Sequence, residues 1–553
     1  MTQPDTIVRA ILAGRGLTED SDVEDFLSKK PKQIYDPFLL SHMEEGVDIL
    51  FHAIETDQKI TVYGDYDADG LTACSLLCGF LRLAVENMHK NAHIDYYIPS
   101  RFEEGYGLNT DALTMLREKG TNLVITVDCG SVSATEIAYG KSLGLEVIVT
   151  DHHDCIATQM PDCVVINPKY PGSDYPFPFL AGCAVAFKFA QAFREKFFPE
   201  NKVLRAELNR MLDLVAVGTV ADVVPLLHEN RTFVKYGLTV LNSGRRLAFS
   251  KLIRAIGQHL GEISSYNIAF GIAPHINASG RLSEAACVVE LFLTEDEARM
   301  DEIVDELVAL NRKRREIQDD LFARCVETIE LSEAGDQFLL LNPHDVHEGI
   351  SGIVAGKLKS RYHLPVAVLA DTQDEASRAM LKGSARSIPG VDMIEMLREH
   401  EELFSKLGGH PMAAGFTLPA ENEERLRNAL NADMQIRIEK DPSILIPDET
   451  PEWLLAPEDA DLALAEALTL FEPTGSENPK PLIAFKAVTI SEVRSIGQKG
   501  KHLRFTASGI PCVYFNAEGK KPSEGHVYTL LGSLEVNEFR GSRSAQFIVR
   551  RVL

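Results

Sequence analysis

Acids and imidazoles stand at the ends of apolar runs along this chain. YGDYDADG at 63–70 contains the end of ITVY and carries Asp65, Asp67 and Asp69. TDHHD at 150–154 closes VIVT and carries Asp151, His152 and His153. A third run, LVITV at 123–127, ends at Asp128 in VDCGS, and Asp222 lies in GTVADVVPLL. Short runs of this composition read as strands, and in an open α/β sheet ligands bind at the carboxyl ends of the strands. Carboxylates brought to one sheet edge repel one another unless a cation holds them. The first expectation is therefore a divalent-metal centre with two ions. Oxygen-rich ligation with one or two imidazoles suits Mn²⁺ or Mg²⁺ better than zinc, and the sequence has no CxxC or HExxH zinc signal. Two ions about 3.5–4 Å apart would activate a water and steady the leaving oxygen in an in-line phosphoryl displacement. The reaction class that follows is metal-dependent hydrolysis of a phosphoester or phosphoanhydride.

Within this set the residues divide by position. Gly70 permits a tight turn from the DYDADG loop into the helix LTACSLLCGFLRLAV. Two adjacent histidines cannot both face one ion from a regular strand, because alternate residues point to opposite sides. Beyond the strand end, His152 is the better ligand, His153 is free to donate to a phosphate oxygen, and Asp151 can orient an imidazole from behind. Asp213 in MLDLVAVG competes with Asp222 for the fourth acid position, with Asp222 preferred for its tighter motif. His344, His347 and Glu348 in HDVHEG could suggest a second metal site, but their spacing is not HExxH.

The elements needed to position these groups are legible as a βαβ rhythm. Strand-like runs at 59–63, 93–98, 122–127, 146–150 and 163–167 alternate with helical patterns, which implies a parallel sheet with helices on both faces. Residues 1–45 read as a helical segment, 46–290 as the catalytic α/β domain and 335–437 as a second α/β domain. Between these two, 291–334 is charged, with a thin apolar stripe. From 293 to 332 it lacks Pro and Gly, and a single helix of that length would reach roughly 55 Å; two helices with a break are the alternative. The stretch 438–480, rich in Pro, Glu and Asp, reads as a linker or helical segment. The alternating short runs of 481–553 read as a small β-barrel of OB type.

With 553 residues, several domains are expected. Hydrophobic content of 45% and charged content of 25% describe globular material, and no apolar run is expected to approach the roughly 20 residues needed to span a bilayer. Nine scattered cysteines without CxxC pairs fit reduced thiols, and with no signal-peptide pattern the expected location is cytoplasmic. A net charge of −25 argues against indiscriminate coating of a duplex, yet a local basic groove survives in such a chain because salt screens charges beyond about 8–10 Å.

These four motifs in this order, with DHH at 151–153, resemble the DHH phosphoesterase superfamily. HEGISGIVAGKL at 347–358 and GGH at 408–410 resemble its DHHA1 domain. GDYDADG, GTVADVVPL, INASGRL at 276–282 and the C-terminal barrel are similar to the RecJ exonucleases in particular. The resemblance implies a 5′-to-3′ exonuclease on single-stranded DNA, acting in repair and recombination, with Mn²⁺ or Mg²⁺ as cofactor. It implies that Asp67, Asp69, Asp128, His152 and Asp222 hold the metals and that His153 contacts the scissile phosphate, with Asp65 and Asp151 auxiliary. Arg281 would contact phosphate; Arg101, Ser384 and Arg386 would grip the 5′ end; His410 would face the cleft. A helicase and a single-strand-binding protein are the implied partners. Val346 stands where this family often has Trp, which removes aromatic stacking at that position.

The substrate residues also read from their own chemistry. RFEEGYG offers Arg101, Phe102 and Tyr106 in one loop, a cation with two aromatic faces for unpaired bases. GSARS sets Ser384 and Arg386 beside a Gly turn able to cradle an oxyanion. EFRGSRSAQFIVRRV carries Arg540, Arg543, Arg550 and Arg551, either a track for a strand or a solvated face. Two other functions compete: a phosphodiesterase of the same superfamily acting on short oligonucleotides or cyclic dinucleotides, and a non-catalytic single-strand-binding scaffold.

Overall fold

Two amphipathic helices begin the chain, α1 (Gln3–Gly14) and α2 (Asp20–Leu27), followed by α3 (Met43–Glu55). In this computed structural model the described residues are 3–28, 30–101, 104–105, 107–332, 335–374, 377–497, 500–517 and 521–553. They form two compact units, one of 1–280, 284–305 and 449–553, the other of 281–283 and 306–448.

In the first unit, β1 (Lys59–Gly64) leads into α4 (Ala68–Asn87), then β2 (His93–Tyr97), α5 (Thr110–Glu118), β3 (Leu123–Val127), α6 (Ala134–Ser142), β4 (Glu146–Thr150) and β5 (Val164–Ile166). The strands form one sheet in the order β2-β1-β3-β4-β5, with every pairing parallel. Alternation sends Tyr63, Val124, Val147, Val149 and Val165 to one face, where Leu113 and Leu116 of α5 and Ile137 of α6 cover them. Helices α3, α4 and α7 (Gly182–Phe197) pack against the sheet as well. Both faces are therefore dry, which is why the strands read as unbroken apolar runs.

Register then sets the site. Gly64 pairs with Val127, Val127 with Thr150, and Thr150 with Ile166. The four strands stop level, so the residues that follow them, Asp65, Asp128, Asp151 and Asn167, emerge along one edge.

Helix α4 corrects the sequence reading of apolar runs. It is long and apolar enough to cross a membrane, but 83% of that window is buried inside the protein, so packing rather than lipid covers it. Cys74 and Cys78 lie on it, both fully buried.

Beyond α7 the chain is helical: α8 (Lys202–Ala221), α9 (His228–Asn242), α10 (Leu247–Ala255), α11 (Ser265–Asn267), a π-helical turn at Ile268–Ile272, α12 (Ala273–Leu282) and α13 (Ala286–Leu293). A single helix, α14 (Glu297–Leu331), follows without a break.

The second unit holds a mixed sheet in the order β6-β7-β8-β10-β9. Its elements are β6 (Leu339–Leu341), α15 (Glu348–Tyr362), β7 (Val366–Gln373), β8 (Ala379–Arg386), α16 (Met393–Arg398), β9 (Lys406–His410), β10 (Ala413–Pro419) and α17 (Glu423–Lys440). Only the β6–β7 pairing is parallel; hairpin-like antiparallel pairs make the rest.

The C-terminal elements are β11 (Trp453–Leu455), α18 (Leu462–Leu468), β12 (Ile483–Ile496), β13 (His502–Ala507), β14 (Ile510–Tyr514), β15 (Val527–Phe539) and β16 (Ser542–Val552). The sheet order β11-β12-β13-β14-β16-β15 is closed by a further β12–β15 pairing, which makes a barrel. Much of the stretch read as a linker, 438–480, belongs to this barrel. Trp453 pairs with Ile483, and Leu455, Leu464, Leu468 and Phe471 lie in its core. Of the Pro and acid content that suggested a linker, Glu458, Asp459 and Glu477 lie in turns, whereas Pro473 is buried and Glu452 pairs with Arg15 at 2.6 Å. The N-terminal segment joins the same core: Ile7, Val8, Ile11 and Leu12 of α1 and Val23 and Phe26 of α2 pack there.

Candidate metal centre

Asp67 is the N-cap of α4; its Oδ1 accepts from the amides of Asp69 and Gly70 at 2.9 and 3.1 Å. Such a cap satisfies amides the first turn cannot bond. Asp69, one turn position on, is held from the far side by the N-terminus of α7, accepting from Gly182 N at 2.7 Å and Cys183 N at 2.9 Å. The amide of Ala68, between the two acids, donates to Asn277 Oδ1 of α12 at 2.8 Å. The loop is thus clamped by three helices.

Close approach does the rest. A Cβ on Gly182 would lie 2.5 Å from Asp128 Oδ1, and one on Gly218 of α8 would lie 2.6 Å from Asp69 Oδ1. Only glycine lets these two helices reach the acids. Asp128 itself adopts a left-handed backbone, φ 64°, in the turn after β3.

Asp222 caps the C-terminal end of α8 and meets the same centre. His152 Nε2 lies 3.0 Å from Asp128 Oδ1, 3.6 Å from Asp222 Oδ2 and 4.0 Å from Asp69 Oδ2. Asp213, the competing acid, points elsewhere: it is buried and ion-paired to Arg246 at 2.8 Å. Behind the centre, Asp151 accepts from Ser131 N at 2.9 Å, from His152 N at 2.7 Å and from His153 Nδ1 at 2.8 Å. Asn167, at the end of β5, donates to the carbonyl of His153 and so fixes the DHH loop.

The electrostatics divide the two imidazoles. Burial, reinforced by the neighbouring His153 charge, lowers His152 to about 4, so its ring is neutral and able to ligate. Burial also disfavours charge on His153, but the hydrogen bond and charge of Asp151 outweigh it, with Asp222 and Asp65 adding to them, and raise it to about 9. Asp151 is buried too, yet the His153 hydrogen bond and the two imidazoles hold its carboxyl below the usual range. Asp65, Asp69, Asp128 and Asp222 are all pushed up, first by burial and then by one another, or by Asp67 in the case of Asp65; for Asp69 the opposing charge of His152 comes before that of Asp67. Asp65 Oδ1 is buried with no hydrogen-bond partner among the described residues.

Three groups of ligand atoms lie within 4.8 Å of one another: Asp128, His152 and His153; Asp69, His152 and Asp222; and Asp65, Asp67 and Asp128. Carboxylates this crowded, with Asp65 Oδ1 buried without a partner among the described residues, fit divalent cations, which cancel the repulsion. Among the described residues HDVHEG forms no such group. His344 pairs with Asp371 at 3.2 Å and Glu348 with Lys382 at 2.7 Å.

Arg101 lies with its guanidinium 5.3 Å from the centre of the Tyr66 ring, inside the DYDADG loop, and its charge favours ionised Asp65. Tyr106 and Phe102 lie outside the described residues. The remaining substrate candidates belong to the second unit. Arg386 on β8 pairs across the sheet with Ala413, and Ala413 with His410, which aligns Arg386 and His410 in one row. Ser351 Oγ donates to Ser384 Oγ at 2.9 Å. Arg386 lies against Gly352, where a Cβ would be 3.0 Å from Nη2, and among the described residues no carboxylate pairs with it. Arg281 donates to the Gly349 carbonyl at 2.7 Å, at the start of α15. The C-terminal arginines are mostly engaged: Arg543 with Glu466 at 2.8 Å, and Arg550 and Arg551 with Glu449 at 3.5 and 2.7 Å.

Sequence reasoning missed Gly182, Cys183, Gly218 and Asn277, which hold the acids in place, and Ser131 and Asn167, which hold the DHH loop. Gly218 stood in the GTVAD motif, so a glycine four residues before Asp222 was a usable signal. Ser131 in VDCGS and Asn277 in INASGRL likewise stood in quoted motifs; Gly182, Cys183 and Asn167 act through backbone groups across long sequence separations, which residue type does not announce.

A parallel sheet with this acid and imidazole edge defines a DHH-family hydrolase, and residues 59–219 match the DHH family, N-terminal domain. Residues 335–435 match the DHHA1 domain and 452–551 the RecJ OB domain. The single-stranded-DNA-specific exonuclease RecJ of Bacillus subtilis strain 168 is 35% identical, over 98% of this chain and 67% of its own length. The crystal structure of RecJ in complex with Mn²⁺ from Thermus thermophilus superposes with a TM-score of 0.80 at 27% identity, covering 99% of this chain and 76% of that one. Its counterpart in complex with Mg²⁺ gives 0.74 at 26% identity, covering 99% and 74%. The chain belongs to the RecJ family.

Proposed function

We propose that this chain hydrolyses single-stranded DNA from the 5′ end, with Mn²⁺ or Mg²⁺ in the acid cluster, and serves DNA repair and recombination. The observation that carries the reading is the gathering of Asp69, Asp128 and Asp222 around the neutral ring of His152. Asp67, Asp69, Asp128, His152 and Asp222 would hold the two ions, with Asp65 alongside. Bound there, such ions lower the pKa of water and neutralise charge on the leaving oxygen. His153, held cationic by Asp151, donates to a non-bridging oxygen of the scissile phosphate and stabilises the charge that develops on it. Arg101, Tyr106, Arg281, Ser384, Arg386 and His410 are assigned to the strand, with Arg386 and Ser384 on the terminal phosphate.

The domain assignment that accompanies this reading is a catalytic domain over 46–290, a connecting helix over 291–334, a DHHA1 domain over 335–437 and an OB domain over 449–553 with α1 and α2 in its core. The protein would work in the reducing cytoplasm, consistent with its nine free cysteines. A helicase and a single-strand-binding protein would supply its substrate.

The test is a time course on one long oligonucleotide labelled at either end, with and without a 5′ phosphate, beside a dinucleotide. Mononucleotide release from the 5′ label first is expected, and Asp128→Ala should bind the strand without cutting it. Release from the 3′ label first, or hydrolysis of the dinucleotide alone, overturns the assignment.

A further inference from the structure

An apolar cavity of about 450 Å³ opens beside the metal centre, within the first unit. Val220, Ala221 and Val223, which flank Asp222, form one wall; Asn277, whose Oδ1 holds Ala68 between Asp67 and Asp69, forms another. Tyr266 and Phe270 form its lip. They are 63% and 64% exposed, and their rings lie 4.6 Å apart at 39°. Leaving two such aromatic faces in water costs burial free energy that a ligand would recover.

Two further features single out this lip. Phe270 sits in the π-helical turn Ile268–Ile272, and such turns recur at functional sites because they displace side chains from the regular spiral. Val223, next to Asp222, is β-branched, 68% exposed and held at φ 62°. A β-branched residue is costly in that region and persists where the surroundings enforce it. From Phe270 to Asn277 is seven residues, or about 10 Å along a helix axis. The lip is therefore near enough to the acids for the same DNA strand to touch both.

We propose that Tyr266 and Phe270 form a stacking shelf for one unpaired nucleobase of the substrate strand, which fixes the register of the scissile phosphate at the metal centre. The inference rests on the exonuclease reading above. An aromatic pair suits a base of any identity, because every base presents a π-face. Val223, Ala269 and Pro274 offer an apolar wall for the base, while Thr474, Ser476 and Lys480 make another part of the rim polar. A duplex cannot use the shelf, since its bases are already stacked and paired. The shelf therefore adds to single-strand preference without reading sequence.

The experiment uses the full chain and a set of single strands, each with one abasic site, moved a nucleotide at a time from the 5′ end. For the wild-type protein, one position is expected to raise KM roughly tenfold or more while kcat at saturation changes little. Tyr266→Ala with Phe270→Ala should raise KM for the intact strand by a similar factor and should no longer distinguish that abasic strand. Tyr266→Phe should retain the wild-type pattern. Both residues are exposed, so a fold defect is not expected; circular dichroism of each variant checks it. The proposal is overturned if the double variant keeps the wild-type KM, as it would if the cavity served an apolar protein segment. It is also overturned if the abasic penalty is undiminished in the variant. Failure of the wild-type protein to degrade the intact strand would instead sink the exonuclease reading itself.

Discussion

His153 stands among carboxylates, and the Asp151 hydrogen bond and charge favour its protonated form against the cost of burial. Asp151 spends its acceptors on Ser131, His152 and His153 and contributes to no ligand group. Asp151→Ala should therefore leave metal binding largely intact while the rate falls about 10–100-fold, as losses behind a ligand usually do. Steady-state rates beside a metal titration check this. Asp128 is the opposite case. It is buried against Asp69, Asp67, Asp222 and Asp65, so Asp128→Asn removes a repelled charge. The metal-free variant should melt higher than the wild type, by about 1–2 kcal/mol of added stability, while hydrolysis is lost. Added Mn²⁺ should raise the melting temperature of the wild type and do far less for the variant. A wild type indifferent to Mn²⁺ in that scan would contradict the assignment of the cluster.

At the scale of elements, the site depends on helix termini pressed against strand ends. The approach of α8 to Asp69 requires Gly218, where a Cβ would also meet Cys183 Sγ and Thr72 Oγ1 at 2.5 Å. Gly218→Ala should cost about 1–3 kcal/mol from overpacking and lower activity further by displacing Asp69; denaturation and rate measurements separate the two. On α9, Arg231 donates to the carbonyls of Phe26, Leu470, Phe471, Glu472 and Pro473 and lies 3.8 Å over the Phe26 ring. One guanidinium thus ties the catalytic domain to both the N-terminal helices and the barrel. Arg231→Ala strands several buried carbonyls and should destabilise the first unit by about 3 kcal/mol or more. Arg231→Lys should not rescue it, because an ammonium has neither the plane nor the donors to serve five acceptors. A melting temperature equal to wild type in either variant would refute this account.

For the whole molecule, α1 and α2 are structural parts of the barrel rather than an independent preface. Removing residues 1–27 exposes Leu464, Leu468, Phe471 and their neighbours and is expected to give an insoluble or partly unfolded barrel, read by proteolysis of 449–553. The net charge of −25 sets a second expectation. With so acidic a shell, strand binding must rest on a few local cations. The affinity should therefore fall with salt at about 0.7 logarithmic unit per phosphate contacted. Arg386→Ala, which removes one half-buried cation with no carboxylate partner among the described residues, should reduce that slope by about one contact; an unchanged slope would take Arg386 off the strand.

The sequence by itself determined the chemistry and the strands that carry it. Alternating apolar runs ending in Asp65, Asp128 and Asp151 announced a parallel sheet with an acid edge, since period and composition are local properties. The sequence preferred Asp222 to Asp213 for its tighter motif, but the reason lies in the fold: Asp222 caps the end of α8 beside the other acids, while Asp213, inside the same helix, is paired with Arg246. The same holds for Gly182, Asn277 and Arg231, which act through backbone groups contributed by distant segments. Within 438–480, read as a linker or helical segment, the helix is there as α18, but its packing was not legible: a segment with polar turns is still drawn into a core when a few apolar residues at the right intervals meet a partner surface, here α1, α2 and the barrel. Residue type fixes what a side chain is able to do; only long-range packing decides which neighbours it does it with.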